Sequence, residues 1–214
     1  MSALVAERAV AEKAIVERTV AVNLDEVLWQ AWKSLDVPEG FRAEIIEGTI
    51  TLSPTGGHRH FSLNRRLDKA LDRFLDGTDH GSAQDGNVIA GLKVLIPDVF
   101  VAPDDSETVE HPEGLGVLAS GVVLVVETVS PGSEARKRDH VLKHRAYAAA
   151  GIPVYVIIDD YDDGGAVTIL TEPDRDRRAY ASSTRIPYGK EAVIPEGPAK
   201  GFVIGPEITG ERRG

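Results

Sequence analysis

Apolar positions along this chain change period several times, and each change predicts an element. Leu24, Val27, Leu28, Ala31 and Trp32 recur at helical spacing behind Asn23, a residue type that caps helix N-termini. Residues 41–46 and 49–53 predict a hairpin about Glu47-Gly48. Pro54-Thr55-Gly56-Gly57 breaks the chain, and a helix is expected over 58–75 with Phe61, Leu67, Leu71 and Phe74 as its apolar members. Gly77 and Gly81 bracket a turn. Strands follow over 87–89 and 92–102, with Pro97 marking an edge, a bulge or a break in the second. Val122 to Val126 form an unbroken apolar run, the pattern of a strand buried on both faces. Ser130-Pro131-Gly132-Ser133 turns the chain into a helix near Glu134 that stops at Gly151, with Pro153 just beyond. Residues 154–158 are a second buried strand closed by Asp159-Asp160. Shorter strands are expected over 167–171 and 178–183, and a loose strand or loop over 185–214. Strand, helix, strand over 122–158 is a βαβ unit, so the class is α/β with a mixed sheet.

The first residues carry no such pattern. Glu7-Arg8-Ala9-Val10, Glu12-Lys13-Ala14-Ile15 and Glu17-Arg18-Thr19-Val20 repeat every five residues, which matches neither a helix face nor a strand face. Residues 1–21 are therefore expected to be a flexible N-terminal arm, 22–205 the folded domain and 206–214 a C-terminal tail. No apolar run approaches the roughly 18 residues of a membrane span, and the N-terminus lacks a secretory pattern. The chain is expected in the cytoplasm. With no cysteine, disulfides, thiolate metal sites and cysteine nucleophiles are excluded.

Charge changes the picture twice. A net charge of −10 argues against a generic nucleic-acid coat protein. Its distribution softens that argument. Residues 104–113 hold five acids and no Lys or Arg, and Asp159, Asp160, Asp162 and Asp163 form a second cluster. Residues 58–76 instead carry five Lys and Arg against three acids, and residues 131–147 five against two.

Several residues stand out chemically. Glu127 ends the apolar run 122–126, where a carboxylate is expensive unless a metal ion, a neighbouring cation or water satisfies it. Asp98 follows Pro97 and precedes Val99-Phe100-Val101, again an acid in an apolar strand; two such acids that meet can hold a divalent ion through hard oxygens. Asp139, Lys143 and Tyr147 share one helix face. That face is either a surface ion pair beside a Tyr or a cation, Lys143, set over a metal site to orient water or offset negative charge. Glu44 and Glu47 flank the hairpin turn, and one of them can add a metal ligand. His58 and His60 form a His-x-His at a helix start without a matching third zinc ligand; contact with phosphate or plain exposure are the other readings. There is no Gly-rich phosphate loop ending in Lys-Ser/Thr and no Gly-x-Ser-x-Gly elbow. A two-carboxylate glycosidase lacks an aromatic sugar platform, with aromatics at only 6%.

The order of these pieces is similar to a known family. Pro97-Asp98, then Glu127-Thr128-Val129-Ser130-Pro131, then Asp139-x-x-x-Lys143-x-x-x-Tyr147, then Gly151-Ile152-Pro153-Val154-Tyr155 with Asp159 resembles the bacterial restriction-endonuclease family often called Uma-two, a branch of the PD-(D/E)XK nuclease superfamily. Arg42-Ala43-Glu44-Ile45-Ile46-Glu47-Gly48, Leu52-Ser53-Pro54 and His60 match its opening hairpin and first core helix, and the resemblance spans about residues 24–205. It implies a restriction-endonuclease-like α/β core, a mixed central sheet flanked by helices. It implies a phosphodiesterase site that uses Mg2+, or Mn2+ in its place, with DNA as substrate. Asp98 and Glu127 would be acid ligands, Glu44 an accessory acid and metal ligand, and Lys143 the catalytic lysine. The superfamily usually places that lysine two residues after the second acid, here Val129, so the resemblance implies that it has moved onto the following helix. Cutting both strands of a duplex implies a homodimer. The alternative is a non-cleaving regulatory or interaction protein built on the same fold.

Overall fold

The computed structural model describes residues 23–211. Helix α1 (Leu24–Lys33) starts at Asn23, whose side chain accepts from the Asp25 N–H. Its buried residue is Trp29, with Leu28 and Trp32 packed beside it. Leu24 and Val27, expected on the apolar face, are exposed. Strands β1 (Phe41–Ile46) and β2 (Thr49–Pro54) pair antiparallel from Phe41↔Pro54 to Ile46↔Thr49. Glu47 and Gly48 both take positive φ, 50° and 73°, which gives the twist that a two-residue hairpin needs.

Helix α2 (His58–Leu75) has the expected bounds, and two of its four expected apolar members, Leu67 and Leu71, are buried. Leu63, Leu67, Leu71 and Leu75 are buried with Asn64, whereas Phe61 and Phe74 stand in solvent. Six strands form the central sheet: β3 (His80–Gln84), β6 (Val99–Pro103), β8 (Leu124–Thr128), β9 (Val154–Asp159), β10 (Ala166–Asp174) and β11 (Ala179–Pro187), in the order β11-β10-β9-β8-β6-β3. β8 and β9 run parallel and the other neighbours antiparallel, so the sheet is mixed. A second sheet joins β4 (Val88–Ala90), β5 (Lys93–Leu95) and β7 (Val117–Leu118) to the hairpin, in the order β2-β1-β5-β4-β7. Pro97 is where the long strand expected over 92–102 divides. Its missing N–H cannot continue the ladder, and the chain passes there from β5 in one sheet to β6 in the other.

After β8 the chain is helical from Ser133 to Ala150 in three pieces: α3 (Ser133–Lys137), a wider π-helical turn (Arg138–Lys143) and α4 (His144–Ala150). Gly151 ends it in the left-handed conformation, φ 76°. Alternation along β8 divides the core. Leu124 and Val126 pack on Leu63, Leu67 and Leu71 of α2, while Val125 packs on the other face with Tyr147, Ala148 and Tyr155.

The C-terminal stretch differs from its expectation. Strands β12 (Ala192–Val193) and β13 (Val203–Ile204) pair, and Pro206–Thr209 form a helical turn with Ile208 and Thr209 buried. Arg66 donates to the Ile208 carbonyl at 2.6 and 2.9 Å, and Arg59 to that of Thr209 at 3.1 Å. Those bonds pack a segment expected to be a tail. The arm expected over 1–21 lies outside the described residues. Among the described residues no helix is long and apolar enough to cross a membrane.

Candidate active site

Glu127 lies inside β8 rather than beyond its end, and strand alternation aims it to the same face as Val125, toward the helix after β8. There it meets Lys143 and Tyr147. Lys143 Nζ donates to Glu127 Oε1 at 2.8 Å and to the Ile96 carbonyl at 3.0 Å, and lies 3.1 Å from Glu44 Oε1. The ammonium has three donors, and these three oxygens match them. The Tyr147 hydroxyl donates to Glu127 Oε1 at 2.5 Å. Glu44, two residues before the end of β1, accepts from the Ile96 N–H at 2.7 Å. The segment crossing between sheets at Ile96-Pro97 thus presents its backbone to both Glu44 and Lys143, and delivers Asp98 next to Glu127.

Asp98 is held by a separate set. Arg42 donates to its Oδ1 at 3.0 Å and the Thr128 N–H to its Oδ2 at 2.8 Å. His60 Nε2 lies 2.9 Å from Oδ1, yet the ring N–H does not line up with it; both ring nitrogens are buried without an aligned hydrogen-bond partner. Asp139 is fully buried and bonded to Arg138 at 2.9 Å, and its carbonyl accepts from the Tyr155 hydroxyl at 2.8 Å.

Lys143 is therefore no surface ion pair. Glu44, Asp98, Glu127, Asp139 and Lys143 are all buried. Burial strongly raises the pKa of Glu127; Lys143 pulls it back, while Asp98, Asp139 and Glu44 push it further up. Burial alone would lower Lys143, but Glu127 and Glu44, then Asp139 and Asp98, outweigh it and the ammonium is held firmly protonated. At Asp98 desolvation pushes upward, and the approach of His60, the charge of Lys143 and the Thr128 N–H overcome it, bringing the carboxyl down to about 2.

Glu44, Asp98, Glu127 and Lys143 line a common cavity of about 20 Å³ together with Arg42, His60 and Arg138. A void of this measure holds about one water-sized particle. Among the described residues, the hydrogen bonds to Glu44 and Glu127 use Oε1. No three His, Asp or Glu side chains among the described residues close on one point as a finished metal cage. Mg2+ does not need one, because it keeps several waters and binds through one or two carboxylates plus substrate phosphate. The carboxylates of Asp98 and Glu127, which line the one-particle void, are the one or two hard-oxygen ligands that suit such an ion. A larger cavity, about 650 Å³, lies against Ile45, Ile46 and Glu47 and includes none of the four candidate residues; the chemistry favours the small one.

The four residues singled out from sequence, Asp98, Glu127, Lys143 and Glu44, thus come together. His58 does not line this cavity; it is exposed at the start of α2. Glu47 turns away to Arg178 and Arg145. Arg42 and Arg138 went unnoticed as site residues. Arg42 had a signal, because it stands two residues before Glu44 and so shares its strand face.

Comparison with known proteins bears on the family and the fold. The model of the Uma2 family, described as "Putative restriction endonuclease", matches residues 29–203, and the chain belongs to that family. A crystal structure of a putative nuclease belonging to DUF820 from Anabaena variabilis is similar in fold, with a TM-score of 0.64 at 14% identity, covering 85% of this chain and 96% of that one. No curated protein matches the chain.

Proposed function

We propose that this protein is a Mg2+-dependent nuclease that hydrolyses phosphodiester bonds in DNA, with Mn2+ as a substitute ion. The observation that carries the reading is the convergence of Glu44, Asp98 and Glu127 on a one-particle void beside the buried Lys143. Asp98 and Glu127 would hold the metal, with Glu44 as the accessory ligand. When bound, the ion would polarise a phosphate oxygen and lower the pKa of an attacking water. The chain's own residues supply the rest. Asp98, held ionised by its donors, is a ready oxygen ligand. Lys143 is fixed by Glu127, Glu44 and the Ile96 carbonyl, so its positive charge stands preorganised where negative charge develops on the phosphate. Arg42 and Arg138 add fixed charge on the same wall.

The test is Mg2+-dependent cleavage of plasmid and oligonucleotide DNA by the full chain. Glu127→Gln and Asp98→Asn should each reduce the rate by roughly a hundredfold or more, the scale of losing an electrostatic contributor to a transition state, with thermal melting still cooperative. Cleavage unchanged in both variants would assign it to a contaminant. Titration calorimetry separates the alternative, a non-cleaving regulatory protein: absence of Mg2+ and Mn2+ binding at millimolar concentration would favour it. A homodimer offers the simplest way to bring two such sites to the two strands of a duplex.

A further inference from the structure

Three cavities share walls. The acid cavity shares Arg42, Gly56 and His60 with a second, of about 340 Å³, and that one shares His58 and Phe61 with a third, also about 340 Å³, bordered by Arg65, Arg66 and Lys69. Together they trace a groove from the carboxylates along the first turns of α2. Phe61, Arg65 and Lys69 stand four residues apart, in line on the exposed side of the helix. Phe61 is 56% exposed. Arg65 and Lys69 are exposed and engage no carboxylate among the described residues. Arg66 is anchored to the Ile208 carbonyl and keeps its charge unpaired by an acid. The acid on this route, Asp85, is paired with Arg42. An open aromatic ring among unpaired cations, continuous with an acid cavity, is chemistry suited to a polyanion with flat faces.

We propose that this groove holds an unpaired DNA strand, with one base stacked on Phe61 and neighbouring phosphates neutralised by Arg65 and Lys69. The proposal rests on the nuclease reading only in that the strand leads to the acid cavity. Stacking needs a free base face, which a closed duplex hides between its own base pairs. The charge around Phe61 favours a strand over an apolar protein surface. The substrate class is therefore single-stranded, flapped or frayed DNA.

The measurement is fluorescence anisotropy of a labelled oligothymidine and of a duplex, without divalent metal, using the full chain carrying Glu127→Gln so that nothing is cut. Phe61→Ala should weaken single-strand binding about 5- to 150-fold, the range for losing one stacked base. Phe61→Trp should retain it. Arg65→Gln and Lys69→Gln should each reduce the salt slope by about 0.7, the value for one phosphate contact on a single strand. Single-strand affinity unchanged in Phe61→Ala, no single-strand binding at low salt, or tighter binding of the duplex would each overturn the proposal. So would a shift in sedimentation with strand affinity intact, which would assign Phe61 to a contact between copies. Binding through Phe61 without Mg2+-dependent cleavage would keep this inference and remove the nuclease reading; cleavage indifferent to Phe61 would do the reverse.

Discussion

At the scale of single residues, the site is an exchange of buried charges. Lys143 compensates Glu127 and Glu44 at 2.8 and 3.1 Å, out of reach of solvent. Removing one partner of a buried pair leaves an uncompensated charge and costs about 3–5 kcal/mol. Lys143→Met should therefore lower stability by that amount in urea unfolding, and adding Glu127→Gln to it should recover part of the loss. A loss below about 1 kcal/mol would place the pair in the surface class. Asp159 provides a pH test away from the cavity. Desolvation pushes its carboxyl up, but His140 at 3.0 Å, the Tyr161 N–H at 2.8 Å and Arg136 at 3.2 Å outweigh this and hold it below the ordinary 3.8. A depressed folded-state pKa adds stability that is present above 3.8 and fades as pH falls below it toward the folded value. Asp159→Asn should therefore show a shallower loss of stability below about pH 4 than the native chain, whatever its stability at pH 7.

At the scale of elements, what the sequence showed depended on how local the cause was. The hairpin turn, the Gly151 stop and the buried runs of β8 and β9 follow from residues a few positions apart, and all were legible. Asp98 and Glu127 were legible as charges in apolar surroundings, Lys143 on a shared helix face, and Glu44 as one of two acids flanking the hairpin turn. The partners that hold them were not: the Thr128 N–H reaches Asp98, and the Ile96 carbonyl reaches Lys143, from other elements. β3 escaped notice because it is a polar edge strand whose burial shows no alternation. The π-helical turn at Arg138–Lys143 has no composition cue, yet it spans Asp139 and Lys143 and sets how both enter the core. On α2 the large aromatics misled, since Phe61 and Phe74 complete an apolar stripe as well as Leu63 and Leu75 do. The structure chooses the leucines. Leu67→Ala should cost about 2–5 kcal/mol as a buried truncation, while Phe61→Ala should stay within about 0.5 kcal/mol. Equal losses in thermal melts would mean that Phe61 is packed.

At the scale of the whole molecule, the net charge of −10 does not describe what an approaching strand meets. The acids of 159–163, a cluster of negative charge in the sequence, are substantially paired: Asp159 with His140 and Arg136, Asp160 with Arg59, and Asp162 with Arg185. The α2 side of the cavity keeps Arg65 and Lys69 outward. On the proposed function one such cavity would suffice for an unpaired strand, whereas cutting both strands of a duplex in one encounter would take two cavities facing opposite polarities. The two substrates therefore call for different dependence on protein concentration. With DNA in excess and enzyme dilute, cleavage of a single strand should rise in proportion to enzyme. Double-strand breakage of plasmid should rise more steeply, toward the square, until the proposed homodimer is saturated. Sedimentation velocity over the same range identifies the species responsible. Proportional behaviour on both substrates, from a chain that sediments as a monomer throughout, would mean that duplexes are cut by successive independent nicks and that the dimer has no part in the reaction.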